Sequence, residues 1–469
     1  MVPKGLSRFL MAGSLLPFAS AETITRDVAI IGGGSAGTYA AIALKDAGHT
    51  VAVIEKTQRL GGHANTYNDP VSGAAIDYGV IALGDVPIVQ TYLQRLNITP
   101  VVGTVDPGNI SFFDFKTGEH NPYYVEADPT DAIENYVAQL ANYPYLNITY
   151  DLPSTIPEDL LMTWGDFSTK YSLSDMSRVV WQWAQGYGEL LNLPAMYIVK
   201  FLSPRWVNGV AGTGFVFTST ENFSMIYGAA TEVLGDDVLF GSTVLSVDRD
   251  KVDADGYMSL SVNENGVSTT IRAKRIISAI PPLASEKFLS PLGLDAKESS
   301  IFSKFKHFNY WTSAVREPAI PAFLNIQNVS PGNMTTPYFY PDLPAAYFLR
   351  ITQVAGMYIM TYGTPAGVNN LTDSEVEAEL STTLQKLRDS GYYGTNVTEP
   401  FEIVAFENHS PYELNVDVKD IQNGFYGDLY GLQGYRNTWY SGAAWVCHDS
   451  SAIWEYTAGI AQAVSESLN

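Results

Sequence analysis

Residues 27–55 have the sequence DVAIIGGGSAGTYAAIALKDAGHTVAVIE, which contains the clearest structural signal of this chain. A short apolar run at 27–31 is followed by a glycine-rich turn and then by a helical pattern of small residues over 38–47. Gly48 marks the end of that helix, and a second apolar run at 50–54 ends at Glu55. The order strand, turn, helix, strand within about 30 residues predicts a βαβ unit that binds a dinucleotide.

The turn contains a dinucleotide fingerprint and the start of the helix, at Gly32, Gly34, Ser35, Ala36 and Gly37. The first glycine permits a tight turn, the second lets the backbone approach a pyrophosphate, and the third lets helix and strand pack closely. The helix N-terminus attracts phosphate through its unpaired N–H groups and its dipole. Glu55 is predicted to accept hydrogen bonds from the ribose hydroxyls, which disfavours a 2′-phosphate. A glycine-rich turn in an unrelated α/β protein is the alternative, and the strand, helix, strand and acid together argue against it.

Length and composition limit the classes of protein to which this chain can belong. The chain has 469 residues, more than an ordinary single domain, and predicts two domains interlaced along the sequence. Hydrophobic residues make up 46% and charged residues 16%, which provides a large core and excludes global disorder. The formal net charge of −22 argues against nucleic acid and anionic lipid as partners. We expect no metal site and no integral membrane span.

The N-terminus has the pattern of a secretory leader over residues 1–21, with Lys4 and Arg8 before a short apolar run and a small-residue cleavage site at 19–21. Nine Asn-x-Ser/Thr glycosylation acceptors agree with passage through a secretory lumen. They are Asn97, Asn109, Asn147, Asn222, Asn328, Asn333, Asn370, Asn396 and Asn408. Cys447 is the only cysteine, so no intrachain disulfide can form. We expect a protein that is secreted or held in a vesicular or vacuolar lumen.

Strand-like and aromatic-rich segments alternate along the chain and predict an α/β (α+β) fold. A Rossmann-like nucleotide-binding domain is assigned to residues 22–84, 220–284 and 420–469. A substrate-binding domain is assigned to residues 85–219 and 285–419.

Local patterns place secondary structure within these segments. Strands are predicted at 237–239, 243–248, 257–262, 268–271 and 275–280. Asn265-Gly266 is a hairpin signal between two of them. Helices are predicted at 131–141, 174–191 and 452–468.

The residues that follow Glu55 distinguish FAD from NAD. They include, in order, Lys56, Arg59, Gly61, Gly62, His63 and Thr66. This segment resembles the extended FAD motif of the flavin amine oxidase superfamily. In that motif a second glycine pair lies against the flavin end of the cofactor, and a basic residue balances the pyrophosphate. The resemblance implies FAD as the cofactor and an amine-oxidase-like fold.

The chain departs from this motif at His63, where arginine is usual. Three roles stay open for the imidazole: donation to a phosphate, a covalent link to the flavin, and a purely structural role.

Later segments resemble the same superfamily. Val244 matches the place where its members put backbone against adenine, and residues 276–282, IISAIPP, resemble the strand that ends near the cofactor. Residues 436–444, RNTWYSGAA, resemble the C-terminal strand and turn, which implies that Gly442 and Ala443 contact the flavin. Asp449 is expected to cap the last helix.

A narrower resemblance is to the β-cyclopiazonate dehydrogenase family of fungal flavoproteins. It rests on GGHANT at 61–66, DYGV at 77–80, WYSGAA at 439–444 and DSSAIW at 449–454. The resemblance implies an FAD-dependent dehydrogenase or oxidase that oxidises an intermediate of fungal secondary metabolism, of indole alkaloid or diterpenoid pyrone type, with ring closure. The expected partners are a bulky apolar small molecule and, for an oxidase, molecular oxygen.

Two other activities stay open, a redox-neutral isomerase and a flavin amine oxidase. Amine oxidases often place a lysine near flavin N5, but residues 307–311, HFNYW, occupy that region and contain none. Tyr187, Trp206 and Trp439 are candidates for the pocket wall, and no catalytic residue is assigned. A relict, non-enzymatic glycoprotein is disfavoured because the fingerprint glycines and Glu55 are intact.

Overall fold

The computed structural model describes residues 22–105, 108–285, 288–330, 338–368, 370–393 and 397–469. The leader predicted at 1–21 and the acceptors Asn333 and Asn396 lie outside these residues.

The strands of the described residues are, in chain order, β1 (Glu22–Ile31), β2 (Val51–Ile54), β3 (Thr66–Asn68), β4 (Ala75–Asp77), β5 (Leu83–Gly84), β6 (Pro100–Gly103), β7 (Asn109–Asp114), β8 (Glu119–His120), β9 (Phe215–Thr218), β10 (Val238–Leu239), β11 (Ser242–Val247), β12 (Met258–Glu264), β13 (Val267–Ser278), β14 (Lys306–Phe308), β15 (Tyr310–Arg316), β16 (Leu324–Asn328), β17 (Ala345–Ile351), β18 (Met357–Gly363), β19 (Glu402–Asn408), β20 (Tyr412–Asn415) and β21 (Thr438–Tyr440).

The α-helices are α1 (Ser35–Asp46), α2 (Pro87–Arg95), α3 (Thr130–Leu140), α4 (Glu158–Leu161), α5 (Trp164–Lys170), α6 (Ser177–Trp183), α7 (Ala195–Phe201), α8 (Pro204–Ala211), α9 (Ser224–Leu234), α10 (Ala296–Phe302), α11 (Asp373–Asp389), α12 (Val418–Gln422), α13 (Phe425–Tyr430) and α14 (Ser450–Leu468).

The predicted βαβ unit is present and forms the centre of the first large sheet. Its strand order is β10-β2-β1-β13-β12-β11, and β21 pairs with the C-terminal half of β13. The strands β10, β2, β1, β13 and β21 run parallel, and β11 and β12 extend the sheet as an antiparallel ribbon. The central strands are apolar and fully buried because helices cover them, as parallel sheets require.

The second large sheet has the order β19-β15-β18-β17-β16-β7-β8 and is antiparallel except between β16 and β7. One face of this sheet packs against α11, whose buried residues Val376, Leu380, Leu384 and Leu387 repeat at helical spacing. The other face is turned towards the first sheet. Strands of the first sheet lie in the segments assigned to nucleotide binding, and strands of the second lie in the segments assigned to substrate binding.

Two local predictions need correction. Residues 174–191 do not form one helix, because α6 ends at Trp183 and Gly186 and Gly188 have φ angles of +78° and +58°. A Cβ atom on Gly186 would come within 2.6 Å of the Tyr412 ring, so aromatic packing requires glycine there. The strands predicted at 268–271 and 275–280 are one strand, β13, because β1 pairs with it from Thr269 to Ser278, across the predicted gap. The hairpin at Asn265-Gly266 is confirmed, with positive φ at both residues.

Glycosylation acceptors differ in how far the fold exposes them. Asn97, Asn109, Asn147, Asn370 and Asn408 are exposed, and Asn222 is half-buried. Asn328 is only 2% exposed, its amide donates to the carbonyl of Ala346, and its oxygen accepts from the N–H of Phe115. The prediction of a glycan at Asn328 is therefore wrong for the folded chain.

Among the described residues, no helix is both long and apolar enough to cross a membrane. Within the same residues, no group of three metal-ligating side chains is gathered in one place.

Candidate active site

A cavity of about 1230 Å³ separates the two large sheets. One wall consists of the turns that follow β1, β2 and β13, together with the start of α14. The opposite wall consists of side chains from β15, β17, β18 and β19. The cavity therefore joins the predicted nucleotide-binding elements to the face of the second sheet in one continuous space.

The glycine-rich turn provides a cradle for a pyrophosphate. Gly32 has a φ of +98°, and a Cβ atom on Gly37 would lie 1.9 Å from the Gly32 carbonyl oxygen. Gly34 precedes α1 without any side-chain cap, and the hydroxyl of Ser35 is buried at the same helix N-terminus. The residues of this turn that line the cavity, at an uncapped helix N-terminus, are Gly32, Gly34, Ser35 and Ala36. Gly37 does not line the cavity and packs behind these residues. The unpaired donors fit the two phosphates of FAD.

Glu55 is fixed in place at the end of β2. One carboxylate oxygen accepts from the N–H of Gly33 at 2.7 Å, and the other accepts from the N–H and the hydroxyl of Thr57, both at 2.8 Å. The side chain is 6% exposed and borders the cavity, which suits a ribose acceptor. Val244 lines the same end of the cavity with Ser242 and Thr243.

The second glycine pair packs directly on the first turn. The N–H of Gly61 donates to the carbonyl of Gly33 at 2.8 Å, and a Cβ atom on Gly62 would lie 3.2 Å from the Cα of Gly34. The guanidinium of Arg59 donates to the carbonyls of Gly62 and Ala64, both at 3.1 Å. Arg59 thus stabilises this loop, while the exposed Lys56 borders the cavity beside Glu55.

His63 belongs to a row of stacked rings that the sequence did not predict. Its ring lies 4.1 Å from that of His409 at an angle of 10°, and Tyr412 stacks on His448 at 3.7 Å. All four rings line the cavity. Nothing in the local patterns linked these residues, although the chain has only six histidines.

The three histidines of this row are neutral at neutral pH. Burial, followed by the charges of Lys56 and Arg59, lowers the pKa of His63 to about 4. Burial also holds the pKa values of His409 and His448 well below the usual range. His448 Nε2 accepts from the N–H of Glu413 at 2.9 Å, so its proton is on Nδ1. His63 therefore brings a neutral ring to the cavity and no cation for a phosphate.

The C-terminal segment completes the nucleotide-side wall. Gly442, with a φ of +126°, and Ala443 line the cavity ahead of α14. Asp449 accepts from the N–H of Ser451 at 2.8 Å, which confirms it as the helix cap, and it also pairs with Arg205 at 3.3 Å.

The second sheet supplies a largely apolar wall. Tyr310, Phe348, Ile359 and Thr361 face the cavity from β15, β17 and β18, and Arg350 and Glu407 add charge. Within residues 307–311, only Tyr310 borders the cavity, since alternation along β15 turns Trp311 towards α11. Lys56 is the one lysine among the described residues of the lining.

Of the three residues that the sequence analysis named as candidates for the pocket wall, one lines the cavity and two do not. Trp206 borders the cavity, whereas Tyr187 and Trp439 are buried outside its lining.

Comparison with known proteins places these observations in a family. A sequence profile of flavin containing amine oxidoreductases matches residues 35–404. The FAD-dependent oxidoreductase oblC of Cochliobolus heterostrophus is 34% identical, over 94% of this chain and 91% of that protein. The beta-cyclopiazonate dehydrogenase of Aspergillus flavus is 31% identical, over 93% of this chain and 92% of that protein.

A solved structure shares the fold. The CLA-producing fatty acid isomerase of P. acnes superimposes with a TM-score of 0.73, at 21% identity. The match covers 93% of this chain and 98% of that protein.

Proposed function

Because the chain belongs to the family of flavin-containing amine oxidoreductases and is an FAD-dependent oxidoreductase, we propose that it dehydrogenates a bulky, mostly apolar intermediate of fungal secondary metabolism. The observation that carries this proposal is the single cavity of about 1230 Å³ between the two sheets. Its nucleotide end has the glycine cradle, and its other end is wide and largely aromatic. A cavity of this form holds a large organic molecule beside a dinucleotide.

The protein's own residues bind and orient both molecules. Gly34 and Ser35 would face the pyrophosphate, Glu55 would hold the ribose, and Gly442 and Ala443 would border the flavin end. FAD, when bound, supplies the chemistry by accepting a hydride from the substrate. The rings of Tyr310 and Phe348, which line the cavity from the second sheet, would hold the substrate and keep water away from it.

We propose ring closure as part of the same reaction and molecular oxygen as the final electron acceptor. The substrate loses two hydrogens, a new bond closes a ring, and oxygen is reduced to hydrogen peroxide. The names of the relatives support the redox chemistry, and ring closure rests on the resemblance to the β-cyclopiazonate dehydrogenase family.

A redox-neutral isomerisation is the second candidate, favoured by the likeness to the P. acnes fatty acid isomerase. Amine oxidation has less support. Apart from Lys56 at the nucleotide end, the described lining contains no lysine that would stand near the flavin.

Anaerobic spectroscopy separates these activities. The purified protein is expected to be yellow, and the metabolite that accumulates when the gene is deleted from its host is added without oxygen. Loss of the visible flavin band indicates net oxidation, whereas product formation with the band intact indicates isomerisation. A colourless protein that does not take up FAD would exclude both.

The same sample shows whether the flavin is attached covalently or non-covalently. Acid precipitation is expected to release all of it as FAD, since the neutral His63 ring is already stacked on His409. Flavin retained in the pellet would establish a covalent link and make His63 its first candidate.

We also propose that the chain passes through the secretory pathway. The leader pattern and the five exposed acceptors support this route. Treatment of the protein from its native host with an N-glycosidase is expected to lower its apparent mass, and sequencing is expected to find an N-terminus near Glu22. An unglycosylated protein with an intact leader would overturn the proposal.

A further inference from the structure

Arg350 is an exception among the arginines of this protein. The described residues contain twelve arginines, and eleven of them donate at least one hydrogen bond to a protein acceptor. Arg350 lies on β17 and borders the cavity, and no hydrogen bond or ion pair joins its guanidinium to any described residue. Its five donors are available inside the cavity.

The nearby acids do not satisfy this guanidinium. Asp77 acts on Arg350 electrostatically, but its carboxylate accepts from the N–H of Phe223 at 3.0 Å and from the hydroxyl of Thr66. Burial raises the pKa of Asp77 to about 7, so its charge is partly lost at neutral pH. Glu407 is on β19, three strands away from β17, which is roughly 14 Å at the usual strand spacing.

An unpaired cation among apolar rings is costly unless a ligand provides the counter-charge. Burial lowers the pKa of Arg350, yet arginine remains charged at physiological pH. Phe348 lies two residues earlier on the same face, with its ring 6.0 Å from the guanidinium carbon, and Ile359 is opposite Arg350 on β18. The surroundings therefore suit an apolar molecule that carries one anionic group.

We propose that Arg350 binds a delocalised oxyanion of the substrate, of which a carboxylate is the simplest form. The planar guanidinium donates two parallel hydrogen bonds to such a pair of oxygens. The anchor fixes one end of the substrate on the second sheet and leaves the apolar body across the cavity. This inference rests on the proposed function, because it assigns the substrate class of the same cavity.

The test uses the flavin-loaded enzyme and two probes of equal shape, 2-naphthylacetate and 2-naphthylacetamide. Binding is measured from the change that each probe causes in the flavin absorbance spectrum. The wild type is expected to bind the acid at least about tenfold more tightly than the amide. R350M is expected to lose this preference by weakening the acid alone, and R350K is expected to retain part of it.

K116M is the matched control, because Lys116 is exposed in the turn between β7 and β8 and its removal also subtracts one positive charge. This variant is expected to bind both probes as the wild type does. A similar loss in K116M would attribute the preference to net charge and overturn the anchor.

The remaining outcomes separate the anchor from the proposed function. A protein that never binds FAD contradicts the proposed function itself. A flavin-loaded wild type that binds acid and amide equally, or binds neither, overturns the anchor alone. Loss of FAD in R350M would place the guanidinium on the cofactor and also overturn it. If R350M does not fold, the anchor is tested by the ratio of the acid and amide affinities in the wild type and in R350K. A ratio of one in the wild type would overturn it.

Discussion

Glu55 shows how one carboxylate organises the nucleotide end of the cavity. It holds the N–H of Gly33 and two donors of Thr57, so the side chain fixes both the first glycine turn and the start of the second loop. Its position at the end of β2 follows from the βαβ unit, because the C-terminal ends of parallel strands face the ligand.

The first prediction concerns E55Q. A glutamine amide keeps the shape but turns an NH₂ group towards either Gly33 or Thr57, which leaves a buried donor unpaired. We expect FAD to bind about 10- to 100-fold more weakly, as measured by flavin retained after dialysis. E119Q, a change at an exposed residue of β8, is expected to retain flavin fully. Equal retention by E55Q would contradict the ribose role.

The stacked histidines give the second prediction, which concerns pH. The pKa of His63 is about 4 in the folded protein, against 6.5 for an unperturbed histidine, so the unfolded chain binds more protons between these values. Stability therefore falls as the pH drops from about 6.5 towards 4. The loss from this residue is about 2 kcal/mol at pH 5.

Comparison with H63N isolates this contribution, since Asp77, with its raised pKa, changes stability in the opposite direction over the same range. The drop in Tm of the holoenzyme between pH 7.5 and pH 5 is expected to be smaller in H63N than in the wild type. H49N, which changes a histidine at the edge of α1 beside Ser465, is expected to keep the wild-type drop. An unchanged drop in H63N would show that His63 is already protonated or solvated.

At the scale of elements, the contact between β1 and α1 sets the geometry of the phosphate cradle. Gly37 is in the first turn of α1 and lies against the carbonyl of Gly32 and the side chain of Ala279 at the end of β13. Any side chain at this position pushes the helix away from the sheet.

The third prediction is that G37A loses both stability and FAD. Its Cβ atom would lie 1.9 Å from an oxygen, and overpacking of this kind costs at least about 1–3 kcal/mol. G228A is the control, because Gly228 is an exposed helical glycine of α9 where an added Cβ atom would have no neighbour within 4 Å. That change is expected to stabilise the protein by about 0.5–1 kcal/mol. Thermal unfolding and flavin content measure both variants.

At the scale of the whole molecule, a buried charge pair joins the interlaced segments. The guanidinium of Arg249, after β11, donates to both carboxylate oxygens of Glu298 on α10 at 2.6 Å. Neither side chain is exposed. Arg436 and Tyr440, on either side of the start of β21, also donate to Glu298. One carboxylate thus connects the nucleotide-binding sheet to the segment that leads into the second sheet.

The fourth prediction is that E298Q destabilises the folded chain by about 3–5 kcal/mol, because the fully buried guanidinium of Arg249 loses its counter-charge, whereas Arg436 keeps its ion pair with Asp250. Denaturant unfolding measures this loss. K251M breaks an exposed pair with Asp248 and is expected to leave the midpoint unchanged. A small effect of E298Q would mean that water or another acid compensates the arginines.

Local sequence patterns were enough to predict the βαβ unit, FAD as the cofactor, and the glycines and Glu55 that line the first wall of the cavity. Backbone geometry within short segments fixes the roles of these residues. Gly32 and Gly37 require the absence of a side chain, and Asp449 caps the helix that begins at the next residue. Short-range constraints of this kind can be recognised from local sequence patterns. The end of α6 at Trp183 was missed, although Gly186 and Gly188 lie within the predicted helix. The Tyr412 ring that packs on Gly186 is distant in the sequence and leaves no local signal.

The make-up of the substrate end depends on contacts between residues that are distant in the sequence. His63, His409 and His448 meet because β19 and the start of α14 fold back over the second glycine loop. Arg350 is unpaired only because its strand turns it into the cavity, away from free acceptors. Such properties depend on which side chains surround a group in space. The spacing of residues along the chain does not show whether a group is buried or paired.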